Sequence, residues 1–159
     1  MTTTSIDIIP FQAIHQSDID TLMKSIAKEF PENIFSIQSK TMKEVSLLPT
    51  HKYWVAVTGD TVLGTIGLST LENNNIELKR MFLRKEFRGQ GIAKVLLDRV
   101  VSEAMDNKVS RIFLGTMTQF KAAQMFYEKN GFIKIPWTFL PKDFPINPVD
   151  KVFYKKELK

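Results

Sequence analysis

Apolar and polar positions recur along this chain with two periods, and the change of period marks out the elements. Ile6 to Ile14 reads as a first strand, and Pro10 within it predicts an edge position or a bulge, since proline cannot donate to a ladder. Ser17-Asp18 then reads as the cap of a helix with Ile19, Leu22, Met23 and Ile26 at helical spacing, ended by Pro31. Thr41 to Leu48 is a second helical segment bounded by Pro49. Strands follow at Tyr53–Val57 and Val62–Leu71, joined by the turn Thr58-Gly59-Asp60-Thr61. Asn73-Asn74-Asn75 makes the next turn, and Ile76 to Leu83 alternates as a half-buried strand.

Ile92 to Met105 carries Ile92, Val95, Leu96, Val100 and Ala104 on one apolar stripe, which predicts a helix packed on a sheet. Arg111 to Gly115 is a short apolar strand, and Phe120 to Lys129 is a helix closed by Asn130-Gly131. Phe132–Ile135 and Val152–Leu158 read as closing strands, with four prolines (136, 141, 145 and 148) ordering the loop between them. Strands mixed with helices in this order define an α/β or α+β domain. No repeat, low-complexity run or Gly/Ser linker divides residues 1–159, so a single domain is expected.

Composition narrows the chemistry. The 159 residues are 43% hydrophobic and 25% charged, as in an ordinary globular domain. The chain contains no cysteine, which removes disulfides, thiolate metal sites and cysteine nucleophiles and suits a reducing, cytoplasmic setting. His15 and His51 alone offer imidazole, so no metal site is expected. The N-terminus lacks the basic start and apolar run of a signal peptide, and no membrane-length apolar stretch occurs. The net charge of +5 is spread along the chain without a dense basic block, so neither nucleic acid nor membrane is expected as a partner.

The informative stretch is a strand, then Arg88-Gly89-Gln90-Gly91-Ile92-Ala93, then a helix. Two glycines let the backbone approach a ligand, and the helix start presents unpaired N–H groups under a favourable dipole. Arg88 adds a charged fork suited to phosphate oxygens. These features predict an anion site, with an ordinary glycine-rich loop as the alternative. Lys94 stands where a dinucleotide fingerprint would need its third glycine, and no Gly-Lys-Ser/Thr occurs, so neither nucleotide motif fits.

The neighbouring residues bring a resemblance. Arg88, Gly91 and Ala93 match the pattern Arg/Gln-x-x-Gly-x-Gly/Ala, and Glu77 to Leu83 is similar to the strand that precedes it in the GNAT family of N-acetyltransferases. Downstream, Ala122 to Phe132 resembles that family's Ala-x-x-x-Tyr-Glu-Lys-x-Gly-Phe segment. The resemblance runs from about Ile76 to Ile135 and departs at Phe120, where many members carry an asparagine seven residues before the tyrosine. It implies a central, mostly antiparallel sheet splayed between the fourth and fifth strands and flanked by helices. It further implies acetyl-CoA as cosubstrate and direct attack of an amine on the thioester in a ternary complex.

Residue roles follow from the same resemblance. Tyr127 occupies the position of the acid that protonates the leaving thiolate, its alternative being a packed core aromatic. Glu77, eleven residues before Arg88, is the candidate base, its alternative a glutamate paired with Lys79 or Arg80. Arg88, Gly89, Gln90, Gly91, Ile92 and Ala93 would hold the coenzyme A pyrophosphate. Met81, Phe82 and Leu83 would offer their main chain to the pantetheine arm, and Lys129 would meet the outer phosphate. The acceptor, a small-molecule or peptide amine, would meet Phe30, Phe35, Tyr53, Trp54, Trp137, Phe139, Asp143 or Asp150 under a cover formed by the proline-rich loop. A homodimer is the assembly frequent among such proteins. Two other readings stay open at this point: an acyl-CoA sensor without catalysis, and a binding module using the +5 charge.

Overall fold

In a computed structural model that describes residues 5–30 and 40–158, seven strands line up in the order β1-β2-β3-β4-β5-β7-β6. They are β1 (Asp7–Pro10), β2 (His51–Thr58), β3 (Thr61–Thr70), β4 (Asn75–Leu83), β5 (Arg111–Thr116), β6 (Ile133–Ile135) and β7 (Val152–Glu157). The helices are α1 (Gln16–Ala27), α2 (Met42–Val45), α3 (Ile92–Asp106) and α4 (Lys121–Lys129). The pairs β1–β2, β5–β7 and β6–β7 are antiparallel, while β4 and β5 run parallel. The expected mixed α/β class and its mostly antiparallel sheet are therefore correct. The chain groups into two compact units, Met1–Leu68 with Arg80–Ser102, and Ser69–Lys79 with Glu103–Lys159.

In the first unit, Pro10 ends β1 at the sheet edge, as its missing N–H requires. Helix α1 buries Ile19, Leu22 and Ile26, each contributing roughly 2 kcal/mol of apolar burial. Ile19 joins Met42, Val45, Tyr53, Val55, Val57 and Val62 in one cluster. Asp18 does not cap α1. Its carboxylate instead accepts from the Val62 amide at 2.8 Å, fastening the helix to β3. Helix α2 starts with a capping box between Thr41 and Glu44. Pro31, read as the end of the first helix, lies outside the described residues, and the helix stops earlier, at Ala27.

Helix α3 forms where expected, but its buried positions are Ile92, Leu96, Leu97, Val100 and Ala104. Val95 is half exposed, because the stripe that meets the protein is rotated towards Leu97. Strand β4 also departs from simple alternation. Asn75, Ile76, Glu77 and Leu78 are all buried, since this strand is central and covered on both faces. Arg80 then takes a left-handed backbone (φ 54°), a conformation that costs a non-glycine residue on the order of 1 kcal/mol. The Thr65 hydroxyl donates to the Arg80 carbonyl at 2.7 Å and helps to hold this kink.

In the second unit, β5 and β7 carry two chemically distinct faces. On one, Phe113 and Phe153 cluster with Leu71 and with Phe144 from the proline-rich segment. On the other, Tyr154 packs against Tyr127 of α4, with ring centroids 5.9 Å apart. Gly131 (φ 89°) closes α4 as expected. Among the described residues no helix is long and apolar enough to cross a membrane.

Candidate active site

The turn before α3 is built by backbone conformation. Gly89 and Gly91 have φ of 77° and 85°, values that an L side chain rarely adopts. Open space surrounds both, with nothing within 4 Å of where a β-carbon would stand. The turn feeds directly into the 15-residue helix α3, whose first amides find no acceptor among the described residues. An anion with several oxygens, such as a pyrophosphate, fits such a cradle.

Arg88 is engaged within the protein. Its Nη1 and Nη2 donate to the two carboxylate oxygens of Glu29 at 2.7 and 2.9 Å. Nε and Nη2 also donate to the Leu83 carbonyl at 3.1 and 2.9 Å. The guanidinium thus ties the turn to the end of β4 and to the residues after α1. Gln90 donates weakly to the Glu86 carbonyl, Ile92 is buried in the core, and Ala93 is half-buried. Met81 and Phe82 are half-buried on β4 and Leu83 is buried.

The second unit holds both candidate catalytic groups. Strands β4 and β5 pair over three positions, Asn75↔Arg111, Ile76↔Ile112 and Glu77↔Phe113, although β4 continues to Leu83 and β5 to Thr116. Glu77 therefore stands at the last paired position, with its side chain on the Phe113 face. Ser69 donates to its Oε1 at 3.1 Å, and the Lys79 ammonium lies 3.6 Å away. Burial pushes its pKa up, and Lys79 and Ser69 oppose that shift in part.

Tyr127 lies on the opposite face. Its ring is buried against Phe126, Phe132 and Tyr154. Its hydroxyl has no hydrogen bond to any described residue, unlike the Tyr154 hydroxyl, which donates to Glu128 at 2.6 Å. Burial pushes the Tyr127 pKa upward, and the charge of Asp150 adds to the shift. The hydroxyl therefore keeps its proton at neutral pH. Phe120 stands as the N-cap of α4 without a side-chain cap bond. Gln124, buried one turn later, donates to the Met117 and Thr118 carbonyls at 3.0 Å each and so organises the chain before the helix.

The acceptor candidates separate. Tyr53 and Trp54 are core residues, Tyr53 hydrogen-bonded to His51 and Trp54 covered by the Arg99 guanidinium at 5.3 Å. Asp143 accepts from the Glu72 amide at 2.8 Å and pins the proline-rich loop. Trp137 and Phe139 are exposed, Phe30 is half-buried, and Phe35 lies outside the described residues. Asp150 is half-buried, and its carboxyl is pushed up to about 6, by burial first and then by the charge of Glu77. A cavity of about 580 Å³, lined by Asn75, Arg111, Phe113, Phe139, Asp143 and Lys155, lies on the Phe113 face and includes neither Glu77 nor Asp150. Lys129 is exposed in the last turn of α4, where a cation suits the helix dipole. Among the described residues no cluster of histidines and carboxylates could hold a metal ion.

The glycine turn before α3 and the buried phenol of Tyr127 stand at positions that the family resemblance singled out. The sequence profile described as Acetyltransferase (GNAT) family matches residues 19–132, and the chain belongs to that family. A GNAT-family acetyltransferase from Staphylococcus aureus is 34% identical, covers 98% of this chain and 100% of its own, and superposes with a TM-score of 0.84. An N-acetylaspartate synthetase from Danio rerio is 36% identical over 109 residues, which is 65% of this chain and 38% of the relative. The chain thus spans between 28% and 40% of the length of such curated relatives. The PaiA N-acetyltransferase of Thermoplasma acidophilum, solved with coenzyme A, shares the fold at 21% identity over 96% of this chain and 99% of its own, with a TM-score of 0.77. The family's chemistry is acyl-CoA-dependent N-acetyl transfer, with acetyl-CoA as cosubstrate.

Proposed function

We propose that this chain moves an acetyl group from acetyl-CoA directly to a primary amine of a small molecule or peptide, working as one cytoplasmic acetyltransferase domain. The observation that carries the catalytic reading is Tyr127, a buried phenol with no hydrogen bond to a described residue, set within the family's α4 motif. A sensor that merely bound acyl-CoA would have no use for such a group. The backbone of Gly89 to Ala93 would hold the pyrophosphate, and the main chain of Met81 to Leu83 would pair with the amides of the pantetheine arm. Arg88 would shape the turn, and Lys129 would meet the outer phosphate.

When bound, acetyl-CoA supplies an activated carbonyl and a thiolate leaving group. Glu77, with its pKa raised by burial, would take a proton from the amine nitrogen, while Tyr127 would give one to the departing sulfur. A neutral phenol brings no resident charge to the place where the thiolate develops. The cysteine-free composition fits a reducing compartment, and the family relationship fits a homodimer. Thiol release from acetyl-CoA with a panel of polyamines, amino acids, aminoglycosides and peptides tests the reading. Turnover that falls in Tyr127→Phe supports it. Tight acetyl-CoA binding without turnover of any amine would sink it and favour the sensor.

A further inference from the structure

The second unit contains a carboxylate that the Glu77–Tyr127 pair leaves unused. Asp150 lies two residues before the final strand, and its amide donates to the Asn147 carbonyl at 3.0 Å. The next amide, Lys151, donates to Thr116 at the end of β5, also at 3.0 Å. This anchoring brings the Asp150 side chain over Gly115. A β-carbon built on Gly115 would lie 3.1 Å from Asp150 Oδ2 and 3.0 Å from the Phe153 ring, so the carboxylate stands where any other residue would put its side chain. Gly115 is two positions past Phe113, the partner of Glu77, so Glu77 and Asp150 project to one face of the strands.

The backbone around Asp150 is fixed, yet its carboxylate has no hydrogen bond or ion pair to a described residue. A half-buried anion in that condition is costly unless a cation completes it. Asp143, in the same segment, shows the opposite case, since its carboxylate is already satisfied by the Glu72 amide. Asp150 is also coupled by charge to both candidate catalytic groups, Glu77 and Tyr127.

We propose that Asp150 receives the acceptor in its ammonium form, so that the acceptors are aliphatic primary amines that are protonated at neutral pH. This rests on the transferase reading above and extends it to the substrate class. The proton balance explains the need for two carboxylates. An ammonium nitrogen must lose two protons to become the N–H of an amide. The first passes to Asp150 and frees the lone pair, which attacks the thioester carbonyl. As the C–N bond forms and the C–S bond breaks, the second proton leaves nitrogen for Glu77, and Tyr127 protonates the thiolate. Both carboxylic acids then release their protons to water, and Tyr127 takes one proton back from water. An ammonium and a thioester have become an amide, a thiol and one proton.

The test compares wild type, Asp150→Asn and Gly115→Ala with acceptors of two classes. Spermidine, ethanolamine and benzylamine are protonated at neutral pH, while aniline and hydroxylamine are largely free bases. Asp150→Asn is expected to lose on the order of 100-fold in kcat/KM with the protonated amines and less than about 3-fold with the neutral ones. Acetyl-CoA affinity should stay unchanged. Gly115→Ala, whose new methyl crowds Oδ2, should show the same class-selective loss. Equal losses for both classes, or wild-type turnover confined to neutral amines, would overturn the assignment of Asp150 while leaving the transferase reading intact. No turnover of any amine by wild type would overturn that reading as well.

Discussion

Arg88 grips both carboxylate oxygens of Glu29, at 2.7 and 2.9 Å, across 59 residues of chain. The same guanidinium holds the Leu83 carbonyl, so its donors link three segments around the glycine turn. A bidentate pair of this kind fixes geometry as well as charge. Glu29→Gln should therefore loosen the turn, raising the KM for acetyl-CoA about 10-fold with kcat changed less than about 2-fold, and Glu29→Asp should recover part of the loss. Were Arg88 instead held back from the phosphates by Glu29, the same substitution would lower KM. Steady-state kinetics in acetyl-CoA separates the two.

Tyr127→Phe removes a hydroxyl that no described residue uses, so the fold loses no hydrogen bond from it. The melting temperature and the acetyl-CoA affinity should stay near wild type. The value of kcat should fall about 100-fold if the phenol protonates the thiolate. A large drop in melting temperature would show that the hydroxyl is structural.

Asp150 and Glu77 couple stability to pH in a definite direction. Burial raises the pKa of both, for Asp150 to about 6. The groups that share this charge balance are Glu77 and Lys79 from β4, Tyr127 from α4 and Asp150 itself. The folded protein then binds more protons than the unfolded chain between the ordinary carboxylate range and about pH 6. Their contribution is fully present below the unfolded pKa and is lost as pH rises through the folded one. Asp150→Asn should therefore melt higher than wild type at about pH 8, with the gap closing towards about pH 4. Amine turnover should run the other way, falling as acid protonates the two carboxylates. Thermal unfolding and rate–pH profiles of both proteins check the pair of trends.

Gly91→Ala tests whether the turn acts through its backbone. With no atom within 4 Å of the added methyl, the cost comes from a φ of 85°, on the order of 1–2 kcal/mol. The KM for acetyl-CoA should rise about 10-fold or more. Gly67→Ala is the control, because its methyl would run into the Tyr53 ring and should destabilise the fold through packing. If the two variants behave alike in melting and in KM, the turn has no special role in binding.

What could be read from the sequence was local. Arg88 to Ala93 and Gly131 identify themselves because special backbone conformations demand glycine and helix starts follow fixed spacing. Helix α4 and its tyrosine were legible for the same reason. The partners of those residues were not. Glu29 reaches Arg88 from 59 residues away, and Asp18 caps no helix because it serves Val62 at a separation of 44. Val95 and Leu97 exchange places because spacing gives a stripe's period but not the direction it faces. Arg80 has no compositional signal at all, being an ordinary residue in an extraordinary conformation. Asp150 stood among several acceptor candidates, and the bare Cα of Gly115 beneath it sets it apart.

Acetyl-CoA labelled in its acetyl group, incubated with the amine library and followed by mass spectrometry, decides whether the chain transfers acetyl groups to amines. Wild type should place the label on the nitrogen of a protonated primary amine, with one free thiol formed per amide. Label that stays on coenzyme A, or that leaves only as acetate, would contradict it.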